Sequence, residues 1–382
     1  MTKNEAHNIM VIAGEVSGDL HGASLIVELK KIDSHINIYG IGGDRMIEAG
    51  MQPAYHIDKM AFLGFAEVIK HLPFIKKVKR ELLEIVVSKK ITTVVLIDYP
   101  GFNLSIAREL KKIGVKIIYY ISPQIWAWGA GRIKKIKSLV DKILVILPFE
   151  EDIYVKAGVP VEFVGHPLLD RMKEYKFLTR DELNAKFGLD PSKEILLLLA
   201  GSRKHEVEKI FPEVIKAAGS LSSDFNLQTV VACSSNIDEA FFHELTGVKG
   251  LTVIKGYTYD FMKHSLVGII KSGTSTLEAG LFKLPMVIVY KTTQLTYLIG
   301  KKLVKLNNIG LVNIVAGETV APELIQQDAS AGNIYKECSR LITDKDYYNN
   351  VKNKLAAVKD KLGIAGASER AARSVYALMN EA

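Results

Sequence analysis

The chain has 382 residues, more than one ordinary domain holds, so two domains are expected. Its 48% hydrophobic and 24% charged residues exclude a disordered or fibrous chain. Apolar runs such as "ILVILPF" (143–149) and "LPMVIVY" (284–290) reach only seven residues, against the roughly 18 that a membrane-spanning helix needs.

"MTKNEAHN" at the start lacks a basic segment followed by an apolar one, so no secretory signal is expected. Cys233 and Cys338 form no CxxC pair, which fits a reducing cytoplasm and argues against a zinc site built on cysteines. The nine histidines show no HxH or HExxH spacing, so no metal and no cofactor is expected.

In chain order, short apolar runs alternate with helical patterns. The runs are 8–13, 36–42, 92–98, 116–122, 142–148 and 161–165, then 195–201, 227–233, 251–256, 266–273 and 286–291. They are continuous rather than alternating, as parallel strands buried on both faces should be. A polar stretch after Gly165 separates the two series and marks a hinge near 166–190. The expected architecture is α/β, with two doubly wound Rossmann-like domains. Their ranges are 1–168 and 169–343, with helices alone over 344–382.

Ligands of open α/β sheets bind at the carboxyl ends of the strands, so each end is a candidate. The first opens as "VIAGEVSGDLHGA" (11–23), a glycine-rich turn that carries Glu15 and Asp19. A phosphate would want only N–H donors at such a turn. The run 92–98 ends on Asp98, followed by Tyr99, Pro100, Gly101 and then Asn103. Next, "YYISPQIWAWGAGR" brings Gln124 and both tryptophans, Trp126 and Trp128. Acids and amides accept hydrogen bonds from hydroxyls, and aromatic faces pack on sugar rings. The first half therefore reads as the side of a polyhydroxyl acceptor, with Ser17 and Gly18 in its first turn.

The second half offers turns of the opposite kind. "LLLLAGSRKHEVE" runs into Gly201, Ser202 and Arg203, and an arginine there can hold a phosphate bidentately. "IIKSGTSTLEAG" presents Ser272, Gly273 and Thr274 at a helix start, with Glu278 one turn on, where it could accept from a ribose diol. Ordinary N-capping explains either turn alone. Two together point to a nucleotide-diphosphate donor. Asp344-Lys345-Asp346 precedes a helical run and reads as a helix cap, and His166 near the hinge reads as structural.

The +8 net charge is clustered. Lys70, Lys76, Lys77, Lys79 and Arg80 occur without an acid among them, and "RIKKIKSLVDK" (132–142) follows. Such clusters suit an anionic partner or a solvated helix face.

Read together, "AGEVSGDLHGA", "IDYPGFN", "SPQIWAW", "LPFE", "VGHP", "GSRKHEVE", "SGTSTLEAG" and "NIVAGETVAPELIQ" resemble, in their order, the lipid-A-disaccharide synthase family. The resemblance runs from about residue 11 to 327. It implies a GT-B glycosyltransferase whose terminal helix crosses back to the first domain. It also implies metal-independent transfer of 2,3-diacylglucosamine from its UDP conjugate to 2,3-diacylglucosamine 1-phosphate, giving a β-1,6-linked disaccharide. Gly129, Lys271 and Val312 depart from the family's usual residues.

In that light Asp98 is the expected base, with Glu15 and Asp19 orienting the acceptor and standing as the alternatives for the base. Arg203 and the helix start at Ser272–Thr274 would stabilise departing UDP, and Asn313 would lie beside the nucleotide. Phe62, Leu63, Phe65, Ile69, Leu72, Phe74 and Ile75 beside Lys76 and Lys77 suit docking on an anionic bilayer, the alternative being that these apolar residues are core. "LTYLIGKKLVKLNN" (295–308) is a second candidate element. The expected place is peripheral, on the cytoplasmic face of the inner membrane, with no nucleic acid partner; the oligomeric state, a homodimer included, stays open. The alternative activity is that of the non-hydrolysing UDP-sugar 2-epimerases, which share the architecture.

Overall fold

The computed structural model describes residues 7–60, 71–123, 131–248, 250–293, 297 and 308–381. The chain divides into two compact units, Met1–Glu174 with Gly363–Ala382, and Tyr175–Leu362.

In the first unit the apolar runs form β1 (Asn8–Ala13), β2 (Asn37–Gly42), β4 (Thr93–Ile97), β5 (Lys116–Tyr120), β6 (Lys142–Val145) and β7 (Val161–Phe163). A further edge strand, β3 (Gln52–His56), was not expected, because "QPAYH" is short and half-exposed and has no apolar run. The sheet order is β3-β2-β1-β4-β5-β6-β7, and its pairings are parallel. Strand β4, "TVVLI", is buried along its whole length. β-branched residues covered by helices on both faces favour that placement.

The second unit repeats the plan. Its strands are β8 (Glu194–Leu199), β9 (Leu227–Cys233), β10 (Thr252–Lys255), β11 (Val267–Lys271), β12 (Met286–Tyr290) and the three-residue edge β13 (Glu323–Ile325). They run in parallel in the order β10-β9-β8-β11-β12-β13.

In both sheets the order reverses beside the first strand, between β1 and β4 and between β8 and β11. A crevice opens at such a reversal because the connecting helices leave on opposite faces. Of the terminal segment 344–382, the helix Lys345–Lys361 lies in the second unit and the helix Ala367–Asn380 in the first. Asp170 holds the latter by accepting the backbone N–H groups of Gly366, Ala367 and Ser368. A carboxylate at a helix N-terminus satisfies donors that have no partner within the helix.

Candidate active site

Ala13 and Ile97 are register partners, so the turns after β1 and β4 emerge side by side at the reversal of the first sheet. The second turn is strained. Asp98 and Tyr99 are both left-handed, with φ of 44° and 46°, a conformation that costs non-glycine residues energy and persists only where neighbours enforce it. The enforcement is visible here. Asn103 Nδ2 donates to the carbonyls of Ile97 (3.1 Å) and Asp98 (2.8 Å). The Tyr119 hydroxyl donates to the Asp98 carbonyl, and that of Tyr99 to the Met60 carbonyl at 2.9 Å.

The strained turn holds Asp98 mostly out of water. Burial pushes its carboxyl up to about 6, and the Glu15 carboxylate nearby pushes in the same direction. The Tyr99 backbone N–H donates to it and works against both. A carboxylate poised near neutrality in a crevice is what proton abstraction needs. Glu15 and Ser17 beside it are exposed.

Two of the expected acceptor-side residues serve the scaffold instead. Asp19 is 4% exposed. Its carboxylate accepts the backbone N–H groups of Gly43 (2.6 Å), Met46 (3.1 Å) and Arg45 (3.3 Å), which ties the β1 turn to the helix start after β2. Asn103 is fully buried, and its amide nitrogen faces the backbone of the turn. Gly18 is buried against Ala13, where helix and strand meet closely. Gln124 and Trp126 lie outside the described residues.

His166 is also buried. Its Nδ1 accepts from the Leu168 N–H, and burial, with His21 and Arg171 nearby, pushes the imidazole down to about 3. It is a neutral structural group. Asp344 accepts from the Tyr347 N–H at 2.9 Å as a helix cap.

In the second unit Leu199 pairs with Ile270, so the turns after β8 and β11 are adjacent as well. Together with the end of β9 they enclose a cavity of ≈ 360 Å³ lined by Gly201, Ser202, Ser234, Lys271, Gly273 and Thr274, among others. Lys271 is the ionic group of its lining, and it pairs with Glu206, which Arg203 also faces. Lys271 Nζ stands 3.0 Å and Arg203 Nη1 3.5 Å from Glu206 Oε1. Sequence reasoning passed over Glu206 and left Lys271 without a role. The signal for Glu206 was its place one turn into the helix Lys204–Asp224 that follows Arg203.

Ser272 turns its hydroxyl to the Ile309 carbonyl at 2.9 Å, so what it leaves toward the cavity is the helix start Thr274–Leu281 that it precedes. Glu278 accepts from the Tyr259 hydroxyl at 3.0 Å. Asn313, expected beside the nucleotide, is wholly buried. Its amide bonds Ala321, Val320 and the Glu323 carboxylate, so it braces the edge strand rather than facing a ligand.

The two reversals thus differ in chemistry, acidic in one unit and cationic in the other. The family model of lipid-A-disaccharide synthetase matches residues 9–375. The chain belongs to that family. Among curated relatives, the lipid-A-disaccharide synthase of Geobacter sulfurreducens is 44% identical over the full length of both chains. That of Coxiella burnetii (strain Dugway 5J108-111) is 38% identical over 97% of this chain and 98% of its own.

Solved structures place the fold among GT-B proteins. The UDP-GlcNAc 2-epimerase from Neisseria meningitidis bound to UDP-GlcNAc superposes with a TM-score of 0.68 at 13% identity, covering 97% of this chain and 100% of its own. A glycosyltransferase of kitacinnamycin also reaches 0.68, at 14% identity over 98% and 99% of the two chains. Sequence kinship decides between these activities: as a member of the lipid-A-disaccharide synthetase family the chain is a glycosyltransferase of lipid A biosynthesis.

The basic helix is Leu72–Ser88. Val78, Leu82 and Val86 are buried, and Phe74 and Ile75 pack on the core, Phe74 edge-on to Tyr55 at 5.7 Å. Part of the apolar set beside the lysines is therefore core. Leu72, Lys76 and Lys77 are exposed, while Phe62, Leu63, Phe65 and Ile69 lie outside the described residues, as does all but Tyr297 and Asn308 of the element at 295–308. No helix among the described residues is long and apolar enough to cross a membrane.

Proposed function

We propose that the chain joins UDP-2,3-diacylglucosamine to 2,3-diacylglucosamine 1-phosphate, forming the β-1,6-linked disaccharide 1-phosphate and releasing UDP. The single observation that carries the assignment of roles is the contrast between the two sheet reversals. Asp98, raised to about 6 beside Glu15, suits deprotonation of a sugar hydroxyl. The cavity at Ser202, Lys271 and Thr274, with Arg203 next in the chain after Ser202, suits a diphosphate.

In this mechanism the Asp98 carboxylate takes the acceptor hydroxyl proton as that oxygen attacks the anomeric carbon. The bond from the anomeric carbon to the UDP oxygen breaks with inversion. The electron pair leaves on the diphosphate, where Arg203, Lys271 and the helix start at Thr274 stabilise the growing charge. Glu15 repels the Asp98 charge and keeps the base strong, and Ser17 beside it meets acceptor hydroxyls. Glu278 holds the ribose. Asn103 and Asp19 act as positioning residues behind the site.

The acyl chains of both substrates sit in a lipid surface, and exposed Leu72, Lys76 and Lys77 offer an apolar and cationic edge to it. We place the protein peripherally on the cytoplasmic face of the inner membrane.

The test is disaccharide formation from the two lipid substrates in the presence of EDTA, for wild type and Asp98→Asn. Product from wild type, lost in Asp98→Asn with UDP affinity kept, supports the reading. Epimerisation of a UDP-sugar without acceptor lipid, and no disaccharide, would overturn it.

A further inference from the structure

The donors that make the turn after β8 attractive to an anion all converge on one carboxylate of the chain itself. Glu206 Oε1 takes Lys271 Nζ at 3.0 Å and faces Arg203 Nη1 at 3.5 Å, while Oε2 accepts the Ser202 backbone N–H at 3.2 Å. The Lys271 and Glu206 side chains are only 18% and 12% exposed, so solvent screens the pair weakly. Gly201 makes this approach possible: at its φ of +138°, an added Cβ would stand 3.0 Å from Glu206 Cβ and Oε2. An ammonium, a guanidinium and a backbone N–H around one set of anionic oxygens is also how proteins hold a phosphate group. Burial by itself would raise the Glu206 carboxyl. The hydrogen bond and charge of Lys271, with the Ser202 N–H and Arg203, outweigh it and hold the group below the usual carboxylate range.

We propose that Glu206 is a built-in stand-in for the nucleotide's phosphate: it takes the anion-binding donors of the pocket until nucleotide binds and sets how tightly UDP is held. The inference rests on reading this pocket as the UDP site. An entering diphosphate must take Lys271, Arg203 and the Ser202 N–H from Glu206, or share them against like-charge repulsion. Until nucleotide binds, the same carboxylate spares Lys271 from being buried unpaired, which is strongly unfavourable. UDP has to leave after every transfer, and competition from Glu206 keeps it from binding as tightly as these donors would allow. Lys271 becomes a binding residue of the donor site.

Calorimetric titration of UDP into the full chain tests this, alongside UDP inhibition of disaccharide formation. Glu206→Gln keeps the shape and removes the charge, and it is expected to tighten UDP about tenfold and to strengthen product inhibition equally. Lys271→Met is expected to weaken UDP about tenfold. Glu206→Asp, which keeps the charge but withdraws it by one methylene, is the second variant should the glutamine fail to fold; its UDP affinity should lie above wild type. Equal or weaker binding in either Glu206 variant overturns the stand-in while leaving the UDP site in place, provided Lys271→Met still weakens binding. UDP affinity indifferent to Lys271→Met overturns the reading of the pocket, and the inference with it.

Discussion

The ring of Tyr99 packs closely against Gly14, so that a Cβ built at residue 14 would stand 2.2 Å from Tyr99 Cδ1. The contact joins the turns after β1 and β4, next to Asp98, the residue before Tyr99. Gly14 is needed here for close approach, not for a special backbone angle. Gly14→Ala must push the ring away, and overpacking of this kind costs about 1–3 kcal/mol. Thermal unfolding should show that loss, and kcat should fall further than stability does, because the strained pair at 98 and 99 loses its support. An alanine variant with unchanged kcat would detach the Tyr99 contact from function.

Asp98→Asn should lower kcat by roughly 10²- to 10⁴-fold, the range of a general base, with UDP affinity unchanged. In wild type the rate should fall as pH drops through about 6, where the carboxylate is protonated. Removing the repelling charge with Glu15→Gln should slide that limb to lower pH. A limb that stays in place would take Glu15 out of the account.

The same shift has a stability counterpart with a definite sign. The Asp98 carboxyl is raised in the folded chain from 3.8 to about 6, so its ionised form is disfavoured there. Its contribution to stability is full below pH 3.8 and is lost as pH rises through about 6. Asp98→Asn should therefore be more stable than wild type at pH 7–8, by at most about 3 kcal/mol, with a higher melting temperature, and match it near pH 4. Melting curves at the two pH values check this, and a variant less stable at pH 8 would contradict it.

Asp19→Asn separates scaffold from chemistry. Three backbone N–H groups depend on that carboxylate, and weakening charge-assisted bonds should cost about 2–3 kcal/mol. Well below its melting temperature the variant should keep kcat within a few-fold of wild type. Activity abolished with an unchanged melting temperature would return Asp19 to the acceptor site.

Reversing the charge of Lys76 and Lys77 together should weaken co-sedimentation with anionic vesicles by about 1 kcal/mol or more per residue, and less at high salt. Binding unaffected by the substitutions and by lipid charge would remove this edge from the membrane reading.

Much of this protein was open to inspection in its sequence. Continuous apolar runs of five to eight residues located eleven strands, because burial on both faces leaves no room for polar alternation. The edges β3 and β13 escaped, since a strand with one neighbour and half its surface in water needs no such run. Strand-end glycines, hydroxyls and the acid at 98 were legible because turns and anion sites require particular residue types at fixed offsets.

What a side chain faces was not legible. Asp19 and Glu15 read alike in the same turn, yet Asp19 is consumed by N–H groups 24 to 27 residues away while Glu15 stays exposed. Asn103 and Asn313 read as ligand contacts, yet the Asn103 amide nitrogen and both ends of the Asn313 amide bond backbone that the folded chain brings near. The sequence by itself determined the strands, the turns and the residue types at their ends. Strand order was left to tertiary structure: β1 beside β4 and β8 beside β11, pairings set by how helices pack across a twisted sheet. That order is what brings Glu15 to Asp98, and Glu206 to Lys271, 65 residues further along the chain.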